Sequence, residues 1–172
     1  ASGLLPICLG EATKLSGFLL NADKSYQFTC RLGRVTATGD AEGEVTVTRP
    51  VGLLSREQVE VALQRFTGVI EQVPPMYSAL KRGGQPLYKL ARQGIEVERE
   101  PRQVTIHELR LLRLEGEDLE CIMRCSKGTY VRTLAADLGE ALGCGAHISA
   151  LRRTAVEPYD ASRMITLDAL CE

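Results

Sequence analysis

The chain has 172 residues, of which 44% are hydrophobic and 25% are charged, and its formal net charge is −1. These values are typical of one globular domain with a buried core, and they exclude a binder of nucleic acid that relies on a large overall positive charge. No apolar run reaches the roughly 18 residues of a membrane helix, and the N-terminus has no signal-peptide pattern.

Residues 25–32 predict a strand, because apolar side chains alternate there with polar ones. The positions on one face are Tyr26, Phe28, Cys30 and Leu32. After a turn-rich loop the alternation returns at Val45 and Val47, which predicts two strands joined by an ordered loop. Ser55 and Gln58 then form a capping-box pattern, which predicts the start of an amphipathic helix. Its apolar positions are Val59, Ala62, Leu63 and Phe66.

Residues 74–102 have a different character from the rest of the chain. An extended segment with two prolines leads to a flexible loop at Gly83 and Gly84, and Pro86 opens a short helix that Gly94 ends. Six Lys and Arg against three Glu leave this segment with three excess positive charges. We predict a basic insertion that clasps a phosphate backbone; on composition alone, a solvated loop is the alternative.

The second half predicts a hairpin, a helix and a further strand. Residues 104–114 and 119–125 alternate on either side of a polar turn, and residues 146–156 form another strand. Between them, apolar residues at helical spacing run from Val131 to a stop at Gly143, and residues 166–170 suggest a last short helix. Hairpins with a few interspersed helices predict an α+β fold with a mixed or antiparallel sheet flanked by helices.

The hinge at residues 126–133 joins the second strand of this hairpin to the helix. Lys127, Tyr130 and Arg132 surround a glycine there, and fixed cations beside an aromatic ring suit an anionic or planar ligand. Lys127 is accordingly a candidate substrate contact. The alternative is a structural turn with one surface arginine.

Cofactor and metal motifs are absent from the sequence. The six cysteines include no C-x-x-C pair, and the two histidines do not stand at zinc-finger spacing, so we expect reduced thiols in a cytoplasmic protein and no metal. There is no phosphate-binding loop, dinucleotide fingerprint or hydrolase elbow. A cofactor-independent reaction or a binding role remains.

Six blocks of sequence carry a resemblance over nearly the whole chain. They are GLLPICLGEATK (3–14), DKSY (23–26), TATGD (36–40), PPMYSALK (74–81), SKGTYVRT (126–133), and GCGAH (143–147) leading to LRR (151–153). In this order they resemble the TruB family of bacterial tRNA pseudouridine-55 synthases. Glu157-Pro158-Tyr159 stands where that family usually has Gly-Pro-Phe.

The resemblance implies a pseudouridine-synthase-like fold and isomerisation of uridine 55 in the T arm of tRNA. The target base would be flipped out of the RNA and attacked by an aspartate, without metal or cofactor. By match to the family motifs, Tyr26 would stack on the flipped base and Arg132 would pair with the catalytic carboxylate. Tyr130 and Leu151 would line the uracil pocket. The implied RNA contacts are Lys14, Lys81, Lys89 and Arg92; for Lys14, a solvated lysine is an equal alternative.

The family's nucleophilic aspartate belongs to a motif whose last residues correspond to Ala1, Ser2 and Gly3. We therefore expect residues 1–172 to be a partial catalytic domain, without the upstream segment and without any C-terminal RNA-binding domain, and with residues 74–102 as its RNA-clasping insertion. The expected partner is tRNA, and a monomeric cytoplasmic protein with no membrane contact is expected. The alternative is a non-catalytic RNA-binding or RNA-folding module, or an inactive fragment.

Overall fold

The structure is a computed structural model and describes residues 1–171. The strands are β1 (Ser2–Gly3), β2 (Lys24–Leu32), β3 (Arg34–Thr36), β4 (Val45–Thr48), β5 (Gly68–Gln72), β6 (Lys81–Arg82), β7 (Gln85–Pro86), β8 (Arg102–Glu115), β9 (Asp118–Cys125), β10 (Ala146–Val156) and β11 (Tyr159–Asp160). The α-helices are α1 (Ser16–Asn21), α2 (Arg56–Gln64), α3 (Leu87–Arg92), α4 (Val131–Ala141) and α5 (Leu167–Cys171). Short 3₁₀ helices span Gly10–Leu15 and Ala161–Arg163.

One seven-stranded sheet organises the molecule. Its strand order is β1-β10-β2-β9-β8-β5, and β11 pairs with β10 outside this path. The pairing of β1 with β10 is parallel and the other pairings are antiparallel, so the sheet is mixed. Two separate hairpins, β3–β4 and β6–β7, stand outside the sheet.

The core lies between one face of this sheet and the helices α2 and α4. Alternation in β2 and β9 sends Phe28, Leu32 and Met123 to this face, where they are at most 2% exposed. From α4, Leu134 and Leu138 meet them and are also nearly inaccessible. Burial of each such side chain contributes about 1.5–3 kcal/mol, so this layer supplies much of the stability of the fold.

The opposite face of the sheet is polar and carries paired charges. Arg31 donates to both carboxylate oxygens of Asp118, at 2.5 and 2.8 Å, and Gln27 donates to Glu120 at 2.7 Å. Polar and apolar positions thus follow the two-residue period of the strands. Only the helix-covered face holds the core, which gives a two-layer α+β arrangement.

The sequence predictions of the main elements are confirmed. The hairpin β8–β9, helix α4 and strand β10 lie where the alternation and the helical spacing indicated, and the capping box of Ser55 and Gln58 is formed in both directions. Phe66 lies beyond the end of α2, although we predicted it among the apolar positions of that helix. The predicted domain ended at Glu172, which lies outside the described residues.

None of the helices in residues 1–171 has both the length and the hydropathy that a bilayer-spanning segment requires.

Candidate functional site

Arg132 holds a fixed position in the first turn of α4. One terminal nitrogen, Nη1, donates to the Asp40 carboxylate and to the Thr38 carbonyl, both at 3.1 Å. The other, Nη2, donates to the Tyr77 carbonyl at 2.6 Å. A planar guanidinium satisfies several acceptors in one geometry, which an ammonium group does poorly. Two loops that are distant in sequence therefore set its orientation.

Asp40 is itself held by its loop between β3 and β4. Its Oδ1 accepts from the Thr38 hydroxyl at 2.5 Å and from the Glu42 amide at 3.2 Å, while Oδ2 faces Arg132. The Ile148 amide donates to the Gly39 carbonyl, which attaches the loop to β10. Both carboxylate oxygens are thus engaged, so Asp40 serves as a charge partner and not as an unencumbered nucleophile.

Tyr26 and Leu151 share the core-side face near one end of the sheet. In the register, Tyr26 stands between Met123 on β9 and Arg153 on β10, and Leu151 stands opposite Phe28. Tyr26 and Leu151 are half-buried, and both pack against the core cluster. Burial raises the pKa of the Tyr26 phenol, and the nearby charge of Arg153 opposes that shift. The phenol is neutral at pH 7, which leaves the ring as an apolar surface with a polar tip.

Tyr130 occupies the N-cap position of α4, and its side chain makes no capping hydrogen bond. Its backbone N–H donates to Oε1 of Gln72 at 3.0 Å, and its carbonyl accepts from Nε2 of the same residue at 3.3 Å. The Tyr130 carbonyl also accepts the first helical bond, from the Leu134 amide at 3.1 Å. A buried glutamine at the end of β5 therefore fixes the backbone where the helix begins.

A cavity of about 280 Å³ opens beside Arg132. Residues 37–39, residues 75–77, Glu96, Arg99 and the first turns of α4 line it. Arg99 pairs with Glu96 at 3.2 Å, and its buried Nε has no acceptor within residues 1–171. Two guanidinium groups thus border one cavity, and each of them is paired with a carboxylate of the fold.

The Lys127 side chain is engaged in a hydrogen bond within the fold. Its Nζ donates to the Asn21 side-chain oxygen at 2.7 Å, which ties the hinge to the end of α1. Ser126 secures the other side of the hinge, because its hydroxyl accepts from the Thr105 amide at 2.9 Å. The hinge is therefore anchored to two elements of the fold before any ligand binds.

The predicted RNA contacts lie apart from Arg132 in the chain and are solvent-exposed. Lys81 belongs to the β6–β7 hairpin, whose tip is Gly83 and Gly84, both with positive φ. Lys89 and Arg92 are in the last turn of α3, and the Arg92 guanidinium lies 5.5 Å from the centre of the Tyr88 ring. Lys14, on the N-terminal 3₁₀ helix, pairs with Glu11 at 2.5 Å.

Asp40 and Gln72 are functional candidates that the sequence analysis did not nominate. Asp40 appeared there only as the last residue of the TATGD block, and Gln72 was not mentioned. The TATGD block is a signal that a role exists at Asp40, but only the fold brings its carboxylate to Arg132, 92 residues away. For Gln72 no local signal exists, since a single glutamine at a strand end is ordinary.

Sequence models of known protein families match the whole chain. A sequence model of the N-terminal domain of TruB family pseudouridylate synthases matches residues 1–131, and one of the C-terminal domain of tRNA pseudouridylate synthase B matches residues 132–172. A tRNA pseudouridine synthase B of Nitrosococcus oceani is 65% identical over 170 residues, covering 99% of this chain and 55% of the relative. The protein of the same name from an Azoarcus species is 59% identical over 170 residues, covering 99% and 56%. The chain spans about half the length of these curated relatives.

Solved structures share the fold. A chain in the crystal structure of a Cbf5-Nop10-Gar1 complex superposes with a TM-score of 0.72 at 29% identity, covering 96% of this chain and 40% of that one. A chain in an H/ACA RNP bound to a substrate RNA containing 2'-deoxyuridine superposes with a TM-score of 0.63 at 25% identity, covering 93% and 37%. The predicted fold class, including its likeness to this group of proteins, is confirmed.

Proposed function

The chain belongs to the TruB family of pseudouridylate synthases, and from this membership we propose that its protein converts uridine to pseudouridine in the T arm of tRNA, at position 55. The observation that carries the proposal is the match to proteins named tRNA pseudouridine synthase B over 99% of the chain. The alternative of a non-catalytic module or an inactive fragment gains no support from these relatives. We place the protein in the cytoplasm as a monomer that binds tRNA.

The proposed reaction begins with base flipping, because the target uridine is stacked inside the folded RNA and the enzyme must reach its glycosidic bond. Unstacking costs a few kcal/mol. In our proposal the ring of Tyr26 offsets part of this cost by stacking on the base, a contact worth about 1–3 kcal/mol. Tyr130 and Leu151 line the pocket that receives the uracil. The position of Tyr26 and Leu151 on one face at one sheet end supports this assignment.

The chemical step in our proposal uses an aspartate nucleophile that is paired with Arg132. The glycosidic bond between N1 and C1′ breaks, the uracil turns, and C5 bonds to C1′; the C5 proton leaves and N1 takes up a proton. Asp40 is not assigned the nucleophilic role, because both of its carboxylate oxygens already accept hydrogen bonds. Arg132, held by three oxygens, is oriented in advance, and preorganised donors are effective in catalysis because they need no rearrangement.

The insertion at residues 74–102 acts as the RNA clasp in this proposal. Lys81, Lys89 and Arg92 are exposed, and cations in this arrangement contact phosphates and contribute affinity but no sequence specificity. Lys14 is a further phosphate contact, and Lys127 reaches substrate by exchanging its bond with Asn21. The local excess of positive charge in a chain with net charge −1 supports the assignment of RNA binding to this insertion.

The test is tritium release from tRNA labelled at C5 of uridine, with the natural full-length chain that contains these 172 residues. Release from position 55 is the expected result, since the C5 proton is lost when C5 bonds to the sugar. Arg132→Ala should abolish release and leave tRNA affinity within a few-fold. Binding without release by the wild-type protein would instead identify a non-catalytic RNA-binding module.

A further inference from the structure

Gln72 is the least exposed of the buried polar residues within residues 1–171, at 2%. It ends β5, where the two-residue period places Gly68, Ile70 and Gln72 on the inward side. An inward position usually carries an apolar side chain, because burial of an amide is unfavourable unless both its donor and its acceptor are paired. A glutamine here therefore requires a specific pair of partners.

Both partners of the Gln72 amide belong to Tyr130. The side chain accepts from the Tyr130 N–H at 3.0 Å and donates to its carbonyl at 3.3 Å, across 58 residues of chain. Tyr130 is the N-cap of α4, with φ −103° and ψ 108°, and it lacks a side-chain cap. Gln72 thus holds the backbone of the N-cap residue from another element, by bonding its N–H and its carbonyl.

Two more contacts join the same segments. The Thr133 hydroxyl lies 3.5 Å from the Val73 carbonyl, and Arg132 Nη2 donates to the Tyr77 carbonyl at 2.6 Å. Residues 72–77, which lead into the insertion, are therefore attached to residues 130–133 at three points. Of the three, only the Gln72 contact is a pair of hydrogen bonds from a fully buried side chain, so it defines where α4 starts.

We propose that Gln72 is a positioning residue: its amide fixes the N-cap of α4 and thereby the placement of the Arg132 guanidinium two residues later. This inference rests on the proposed isomerisation. Gln72 does not touch substrate, because it is buried beneath the hinge. It affects kcat through the position of Arg132, whereas the affinity for tRNA depends on other residues.

The first variant is Gln72→Met, which keeps the length of the side chain and removes both hydrogen bonds. In the full-length protein, at a temperature where the variant is folded, we expect kcat to fall about tenfold or more with KM for tRNA changed by less than about threefold. The matched control is Gln27→Met, which removes a side-chain hydrogen bond to Glu120 on the polar face of the sheet and should leave kcat unchanged. A kcat for Gln72→Met within twofold of wild type, at about the scatter of such assays, would overturn the proposal.

The second variant is Gln72→Glu, whose protonated carboxyl both accepts and donates as the amide does. Burial raises the pKa of such a carboxyl, so its activity relative to wild type should recover as the pH falls from about 8 to about 6. A role that depends only on filling space predicts no such pH dependence. A flat ratio across this range would count against the positioning role.

Amide exchange separates this inference from the proposed function. In wild-type protein the amides of Tyr130 and Leu134 should be protected, and Gln72→Met should lose that protection while the amides of β9 keep theirs. If wild-type protein releases no tritium, the proposed function fails and the exchange result alone decides the positioning role. Retained protection of Tyr130 in Gln72→Met would then refute it.

Discussion

The central residue of the site is an arginine whose side chain is held in position before substrate arrives. Arg132 meets oxygens of Thr38, Asp40 and Tyr77. Its contacts with Asp40 and Tyr77 span 92 and 55 residues of sequence. The guanidinium belongs to a residue of α4, and contacts with the loops that contain Asp40 and Tyr77 set its orientation. The charge of Asp40 matters most among these partners, because the other two are neutral carbonyls.

Asp40→Asn tests this dependence. The change keeps the shape of the side chain and removes its charge, and a hydrogen bond to a charged group is worth about 1.5–3 kcal/mol. In the full-length protein, we expect kcat for the proposed pseudouridylation of tRNA to fall roughly ten- to hundredfold, with tRNA affinity nearly unchanged. Glu42→Gln, an exposed carboxylate in the same loop, serves as the control and should be silent. Equal rates for Asp40→Asn and wild type would show that the carbonyls alone align Arg132.

The sequence predicted some members of this site and not others, for a physical reason. Arg132 and Tyr26 lie in sequence blocks that can be matched to the family without knowledge of the fold. The resemblance was therefore enough to predict a role for each of them. The roles of Asp40 and Gln72 exist only through contacts across the fold. The carboxylate of Asp40 reaches Arg132 because the loop of residues 37–44 is attached to β10, and no local pattern encodes that attachment. The functional roles assigned to the predicted residues stay predictions.

Helix α4 packs closely against the sheet because Gly139 has no Cβ. A Cβ at Gly139 would lie 2.3 Å from the Ala146 nitrogen and 2.4 Å from the Gly145 carbonyl carbon. These are backbone atoms, so they cannot move aside as a flexible side chain would. The helix therefore rests directly on the start of β10.

Gly139→Ala should accordingly destabilise the protein, although alanine favours helices. Overpacking against backbone costs about 1–3 kcal/mol, which exceeds the gain of roughly 0.5–1 kcal/mol in helix propensity. Urea denaturation measures the difference. The control is Gly17→Ala in α1, where a new Cβ meets nothing within 4 Å, so it should be neutral or stabilising. If Gly139→Ala left the free energy of unfolding unchanged, α4 would be able to tilt away from β10 at little cost.

The basic insertion makes a separate, electrostatic prediction. Each phosphate contact releases counterions, so Lys81→Gln and Lys89→Gln should each reduce the salt dependence of tRNA affinity by about one unit of slope. The loss should be similar for tRNAs of different sequence, because phosphate contacts read no bases. Arg110→Gln, on the polar face of the sheet, is the control. If neither lysine variant changed the salt dependence of tRNA affinity, the insertion would be a solvated loop and not an RNA contact.

Elements with a clear local signal were predictable from sequence, and β5, which lacks one, was not. Strand β10 has the same bounds in the prediction and in the structure, because eleven residues give the alternation room to appear. Strand β5 was not predicted: it has five residues, begins at a glycine and ends on a buried glutamine where an apolar residue would be expected. Its strand conformation comes from pairing with β8 along residues 102–106, a contact that local sequence does not show.

The interior of the protein holds four of its six thiols. Cys30, Cys121, Cys125 and Cys144 are buried, whereas Cys171 is exposed and Cys8 is half-buried. Burial raises the pKa of Cys121 to about 12 and that of Cys125 to about 11. We expect a thiol reagent at pH 8 to modify Cys171 and Cys8 in the native protein, and the other four only after unfolding.

The same thiols predict a loss of stability at high pH. Unfolded thiols release protons near pH 9, whereas Cys121 and Cys125 hold theirs until about pH 11 to 12 in the folded protein. The folded state therefore binds more protons in this window, and the free energy of unfolding should fall as the pH rises through it, with the full contribution present below pH 9. Cys121→Ser and Cys125→Ser should flatten this dependence in denaturation curves measured between about pH 8 and about pH 11.

The place of β10 in the sheet has a consequence for synthesis on the ribosome. β10 lies between β1 and β2, and Arg153 donates to the Leu4 carbonyl across 149 residues of chain. At about 5–20 residues per second, β1 waits roughly 8 to 30 seconds for β10 to be translated. During that interval β2 has one open edge, which invites pairing with other chains. A nascent chain stalled between the two matched family ranges, at residue 131, would therefore depend on chaperones.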